Sequence, residues 1–232
     1  MTQSWNPTRP DIAEALASVR ETIALAARES GRGPEEVALV AVAKTFGPSA
    51  VEAAYAAGQR VFGENRVQEA QSKYPDLKKR HPDLMLHLIG PLQTNKAGDA
   101  LALFDVIETL DREKLARALA KERDRQGRCP QLYIQVNTGG EAQKAGCKAA
   151  DAAALLQLSR DELNLPVIGL MCIPPLDEPP AVHFGLLKRL AQDLDLENLS
   201  MGMSGDYEAA VMLGATSVRV GSAIFGQRPK PV

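Results

Sequence analysis

The chain has 232 residues, 45% of them hydrophobic and 24% charged, with a formal net charge of −2. That balance gives no reason to expect nucleic acid or an anionic membrane as partner, and no stretch nears the roughly 20 apolar residues of a membrane span. The three cysteines, Cys129, Cys147 and Cys172, form no CxxC spacing, so they read as reduced thiols in a cytoplasmic protein, and the three separated histidines offer no zinc constellation.

The polar N-terminus, with Trp5, Pro7 and Pro10, lacks the apolar core of a signal peptide. A first helix is predicted from about Asp11 to Ser30, where Ile12, Leu16, Val19, Ile23 and Ala27 recur at helical spacing and Gly31 stops it. Eight strand candidates follow: Val37–Lys44, Arg60–Asn65, Leu84–Gly90, Asp105–Leu110, Gln131–Thr138, Val167–Ile173, Leu199–Ser204 and Ser217–Ile224. Helical stretches lie between most of them, among them Ser49–Ala57, Asp111–Gln126, Ala149–Arg160 and Ala181–Leu194. Asn95 and Lys96 open a further helix after the third strand, and Lys78-Lys79-Arg80 reads as a solvated face. The Pro-rich run from Ile173 to Pro180 reads as a loop, and Gln227 to Val232 as a frayed end.

Repeated βα units imply parallel strands joined by right-handed crossovers. Eight of them in this length point to an α/β fold of the (β/α)8 TIM barrel type with an extra N-terminal helix; an open doubly wound sheet is the alternative that periodicity leaves standing. No linker or composition shift divides the chain, so a single domain over residues 1–232 is expected. In such barrels the functional face is the C-terminal end of the strands, where Lys44, Asn65, Gly90, Asn137, Ser204, Gly221 and Ser222 fall.

Alternation puts Ala38, Val40, Val42 and Lys44 on one strand face. If that face looks into the barrel, Lys44 stands over a small-residue floor, largely desolvated. Burial disfavours the ammonium and yields the neutral amine that attacks an aldehyde. In the last strand, Val218 and Val220 face the helices while Ser217, Arg219 and Gly221 face inward. An inward arginine needs an acceptor. Gly221 lets the backbone approach a ligand, and with Ser222 and Ser204 it suits a phosphate, which this fold often binds after strands seven and eight. An amine at one edge and a phosphate cradle at the other suggest a phosphorylated aldehyde held as a Schiff base.

Six stretches in series carry a more specific signal: Leu39–Thr45, Gly58–Glu69, His87–Lys96, Gly169–Pro174, Leu199–Ser204 and Val218–Gly226. On them the chain resembles the pyridoxal phosphate homeostasis proteins, single-domain relatives of the alanine racemase N-terminal barrel. The resemblance implies pyridoxal 5′-phosphate (PLP) as cofactor, with Lys44 forming the internal aldimine and Ser204, Gly221 and Ser222 holding the phosphate. It also implies Arg219 at the pyridine nitrogen and Asn65 beside the ring. Departures are Arg66 where the family often has Tyr, Thr94 for Ser, Ser222 for Thr and Cys172 for Ala.

Related racemases and decarboxylases carry a second, β-rich domain, for which little chain is left here. A PLP carrier for storage or delivery, with PLP-dependent apo-enzymes as acceptors, is therefore expected over an enzyme with robust amino-acid turnover. The alternatives are a small PLP-dependent racemase or lyase, and a colourless aldolase-like barrel acting on a sugar phosphate. His87 is expected inside the barrel, near the ring or satisfied by backbone. His81 and His183 read as surface residues, Tyr207 as helix packing and Cys172 as a small core side chain.

Overall fold

A computed structural model describes residues 11–141 and 143–226; Trp5, Pro7, Pro10 and the tail 227–232 lie outside the described residues. Helix α1 spans Ile12–Glu29, and its N-cap carboxylate, Asp11, accepts from the amides of Ala13 (2.8 Å) and Glu14 (3.4 Å). Leu16, Val19, Ile23 and Ala27 of the predicted stripe are buried, Ile12 is partly so, and the stripe packs α1 against helices that flank the barrel. Gly31, at φ 75°, turns the chain away after the helix.

Nine parallel strands follow among the described residues: β1 (Ala38–Val42), β2 (Val61–Glu64), β3 (Met85–Leu88), β4 (Val106–Leu110), β5 (Gln131–Asn137), β6 (Cys147–Lys148), β7 (Val167–Cys172), β8 (Asn198–Met203) and β9 (Ser217–Val220). They are ordered β4-β3-β2-β1-β9-β8-β7-β5, and β4 pairs in turn with β5, so the sheet closes. Closure rules out the open doubly wound alternative. The two-residue β6, absent from the sequence expectation, is an appendage on β5.

Helices α2 (Pro48–Ala56), α3 (Val67–Arg80), α4 (Ala97–Leu103), α5 (Glu113–Gln126), α6 (Ala152–Gln157), α7 (Pro180–Asp193), α8 (Tyr207–Met212) and α9 (Ser222–Phe225) complete the βα units. A short turn of 3-10 helix, Thr94–Lys96, leads into α4, as Asn95 and Lys96 suggested. Within α3 lies Pro75, a residue that interrupts the helical pattern in the sequence.

The strands bury both faces. Leu39, Ala41 and Ala43 join the large core between strands and helices, together with Val218 and Val220. Inside the barrel, Val106, Tyr133 and Met171 form a second, small cluster. The predicted faces are therefore the observed ones, but most strand bounds differ by one or two residues, β3 stopping at Leu88 rather than Gly90, and β9 is shorter by four. β1 stops at Val42, because the Phe46 amide turns back to the Ala43 carbonyl (3.1 Å) and Thr45 takes a left-handed φ of 69°. β9 stops at Val220 rather than Ile224, because the Phe225 amide closes a helical turn on the Gly221 carbonyl (2.9 Å).

The barrel mouth is tight where β2 and β3 end. A Cβ added at Gly90 would sit 2.2 Å from the carbonyl oxygen of Asn65, a backbone atom that cannot swing aside. Gly90→Ala is expected to cost about 1–3 kcal/mol of stability; urea unfolding should show a lower midpoint with an unchanged slope.

Candidate functional site

All six residues singled out in the sequence, Lys44, Asn65, Ser204, Arg219, Gly221 and Ser222, line one cavity of about 310 Å³. It opens at the C-terminal ends of the strands. Val42, Phe46, Ile89, Ile173 and Met203 supply apolar walls. Its size lies at the lower end of the roughly 300–1,000 Å³ typical of small-molecule sites.

Lys44 enters this cavity from the turn between β1 and α2, not from the strand itself. It is half-buried, where the sequence suggested a largely desolvated amine. The cause is the turn: with β1 ended two residues earlier, the side chain rises to the mouth of the barrel instead of lying within it. Thr45, the next residue, is β-branched and left-handed, a conformation that costs about 1–2 kcal/mol.

Opposite the mouth, Arg219 of β9 is 3% exposed. Its acceptors come from three other strands. One guanidinium nitrogen donates to Ser200 Oγ (2.5 Å), another to the Cys172 carbonyl (2.7 Å), and Glu108 Oε2 lies 3.7 Å away. Glu108 is fully buried and accepts from Ser200 Oγ (2.6 Å), while its other oxygen meets His87 Nδ1 at 2.7 Å. Burial pushes the Glu108 carboxyl up, but the hydrogen bond and charge of His87, the Arg219 charge and the Ser200 bond together hold it below the usual range. His87 thus lies inside the barrel, satisfied by a carboxylate rather than by backbone. The Tyr133 hydroxyl nearby stays protonated, since burial pushes its pKa upward and the Glu108 charge adds to that.

Glu108 and Ser200 went unnoticed in the sequence. The available signal was a charged residue within the apolar strand Val106-Ile-Glu-Thr-Leu110. Nothing local distinguishes Ser200 from other small strand residues.

At the other end of the cavity, Ser204 follows β8 and Ser222 begins α9. The Gly221 amide donates to Ser204 Oγ (3.1 Å), which ties the ends of β8 and β9 together. Two hydroxyls and a close-approaching backbone suit phosphate oxygens, and apolar walls suit a flat ring. Lys44 offers the nitrogen nucleophile, so the residues present fit a small phosphorylated aromatic aldehyde.

Other expected residues fall elsewhere. Asn137 does not line the cavity; its side chain bonds the backbone of Glu141 and closes the loop after β5. His183 is buried, between Thr138 Oγ1 (3.1 Å) and Glu178 (3.2 Å), and His81 is partly buried against Tyr55 with Nε2 2.7 Å from Glu52. Both correct the surface reading: their partners are distant in sequence or lie across a loop. Tyr207 packs partly buried against the core, as expected. Burial pushes the Cys172 and Cys147 thiols up to about 12 and Cys129 to about 11, which leaves them poor nucleophiles.

The alanine racemase N-terminal domain family matches residues 15–229. The pyridoxal phosphate homeostasis protein of Pseudomonas aeruginosa is 44% identical over 224 residues, covering 94% of this chain and 96% of that protein. Its Escherichia coli counterpart is 39% identical over 231 residues, covering 94% and 97%. PipY of Synechococcus elongatus without PLP superposes with a TM-score of 0.84 at 40% identity, and the form with PLP bound with 0.79 at 39%. Both comparisons cover 93% of this chain and all of PipY. A histidine racemase of Leuconostoc mesenteroides, 17% identical with a TM-score of 0.68, shares the fold over 57% of its own length.

The buried network yields a stability prediction. Glu108→Gln keeps the shape but leaves Arg219 without its carboxylate, at a cost of about 3–5 kcal/mol at neutral pH. Because the folded-state carboxyl titrates below its unfolded value, its contribution is complete above about pH 4.3 and is lost as pH falls through the lower folded value. Denaturation of both forms across pH 3 to 7 should therefore show the gap narrowing only at the acid end.

Proposed function

The chain belongs to the pyridoxal phosphate homeostasis protein family, and from that premise we propose that it binds PLP and holds it for storage or delivery. The observation that carries the proposal is the convergence of Lys44, Arg219, Ser204 and Ser222 on one small cavity.

When bound, PLP supplies an aldehyde, an aromatic ring with a basic nitrogen, and an anionic phosphate. Lys44 would hold the aldehyde end, its amine supplying the nitrogen nucleophile. Ser204, Ser222 and the Gly221 backbone take the phosphate, while Asn65 and the apolar walls flank the ring. Arg219 is the partner of the ring nitrogen. Its permanent charge disfavours protonation there and weakens the electron withdrawal on which carbanion chemistry depends.

These roles favour a carrier over an enzyme with robust amino-acid turnover. Lys44 is half-buried and Ser222 exposed, so the site can be reached by an incoming amine. The acceptors we propose are PLP-dependent apo-enzymes. One barrel domain over residues 1–232 is the proposed working unit, in the cytoplasm, where its thiols stay reduced. Among the described residues no helix is long and apolar enough to cross a membrane.

The protein mixed with PLP should turn yellow, and borohydride reduction with peptide mapping should fix the cofactor on Lys44. Lys44→Ala is expected to lose covalent attachment and keep its circular dichroism spectrum. A reducible adduct persisting in that variant overturns the assignment of Lys44, and amino-acid turnover above the free-PLP background replaces the carrier by an enzyme.

A further inference from the structure

The side chain of Lys44 is aimed by the two peptide groups that flank it, and α3 grips both. The Ala43 carbonyl accepts from Lys73 Nζ (3.0 Å), and the Thr45 amide donates to Glu69 Oε1 (2.6 Å). Glu69 and Lys73 are four residues apart on α3, on one helical face, and are themselves paired at 3.3 Å. Lys73 also bonds Glu64 Oε1 at 2.7 Å, where β2 ends. The side chains of Lys73 and Glu64 are 5% and 0% exposed.

None of these three residues lines the cavity. Buried ion pairs add little net stability compared with apolar packing, and their best-attested use is to select one arrangement over others. Here the arrangement selected is an unfavourable one. Thr45, at φ 69°, would relax toward an extended or right-handed backbone, which would turn the Lys44 side chain away from its present direction. The bond from its amide to the Glu69 carboxyl oxygen is short, at 2.6 Å, and it holds the strained turn in place.

We propose that Glu69, backed by Lys73, is a positioning residue that holds the Lys44 turn so that the amine meets the aldehyde. This rests on the reading of Lys44 as the PLP lysine. The phosphate end of the cavity, on the β8 and β9 loops, is not touched by the brace. Loosening it therefore impairs attachment to Lys44 and leaves phosphate recognition intact.

Two ligands separate these effects. PLP can condense with a lysine; pyridoxamine 5′-phosphate carries an amine in place of the aldehyde and cannot. Glu69→Ala in the full chain is expected to weaken PLP binding or slow its attachment on the order of 10-fold, with pyridoxamine phosphate affinity unchanged within about twofold. Glu69→Gln retains an Oε1 acceptor for Thr45 and should restore most of the loss. The Glu69 side chain is 26% exposed and its removal leaves the buried Lys73–Glu64 pair intact, so this variant is suited to the test even if Lys73→Met does not fold.

Wild-type PLP attachment by Glu69→Ala overturns the brace, and so does an equal loss of both ligands, which marks general structural damage. Lys44→Ala is measured alongside. If it loses the adduct while Glu69→Ala behaves as wild type, the brace alone fails; if it keeps the adduct, the Lys44 reading fails and the brace with it.

Discussion

A carboxylate with no exposed surface sits inside the barrel, and its satisfaction links five strands. Glu108 of β4 holds His87 of β3 and Ser200 of β8, and its charge balances Arg219 of β9, which in turn donates to the backbone of β7 at Cys172. Burying an isolated carboxylate or guanidinium is prohibitively costly. Each group tolerates its position only because the others occupy theirs. The network therefore couples closure of the barrel to the orientation of Arg219, which lines the cavity.

Above that floor the site divides into two ends with different mechanical support. The Ser204–Gly221 bond joins adjacent loops at the end suited to phosphate, where the Gly221 backbone runs close to β1: a Cβ there would lie 3.2 Å from the Val42 carbonyl. At the other end, Lys44 stands on a strained turn that two side chains of α3 restrain. On the proposed reading, an anion site at one end and a separately supported amine at the other would suit a protein that retains a cofactor while its covalent link forms and breaks. Retention at one end and release at the other would then be separable, as the proposed storage and delivery require.

Arg219 connects the two levels. Its guanidinium bonds Ser200 and lies beside the Glu108 carboxylate while lining the cavity. Among PLP sites, the group opposite the ring nitrogen governs how strongly the ring withdraws electrons. In the proposed place beside the ring nitrogen, the Arg219 guanidinium would lower that capacity and favour holding the cofactor over carbanion chemistry.

Much of this was legible in the chain itself. The period-two pattern of Val40 and Val42 against Leu39 and Ala41 assigned the two strand faces correctly, and so did Ser217 and Arg219 against Val218 and Val220, while Lys44 reaches the cavity from the turn beyond the strand. The βα alternation foretold eight barrel strands, and small or hydroxyl residues at their ends marked the mouth. Local patterning can do this because strand faces and helix stripes follow from spacing along the chain. What it could not supply were contacts between residues far apart in sequence. The closing β4–β5 pair, the Glu108–Arg219 network and the burial of His183 depend on where whole elements come to rest. The left-handed turn at Thr45 belongs to the same class, because a carboxylate 24 residues away holds its amide. Composition and periodicity determined the repeated βα units and their inventory of groups; tertiary packing alone decided closure and which groups neutralise one another, because strand edges and desolvated charges choose partners by proximity in space.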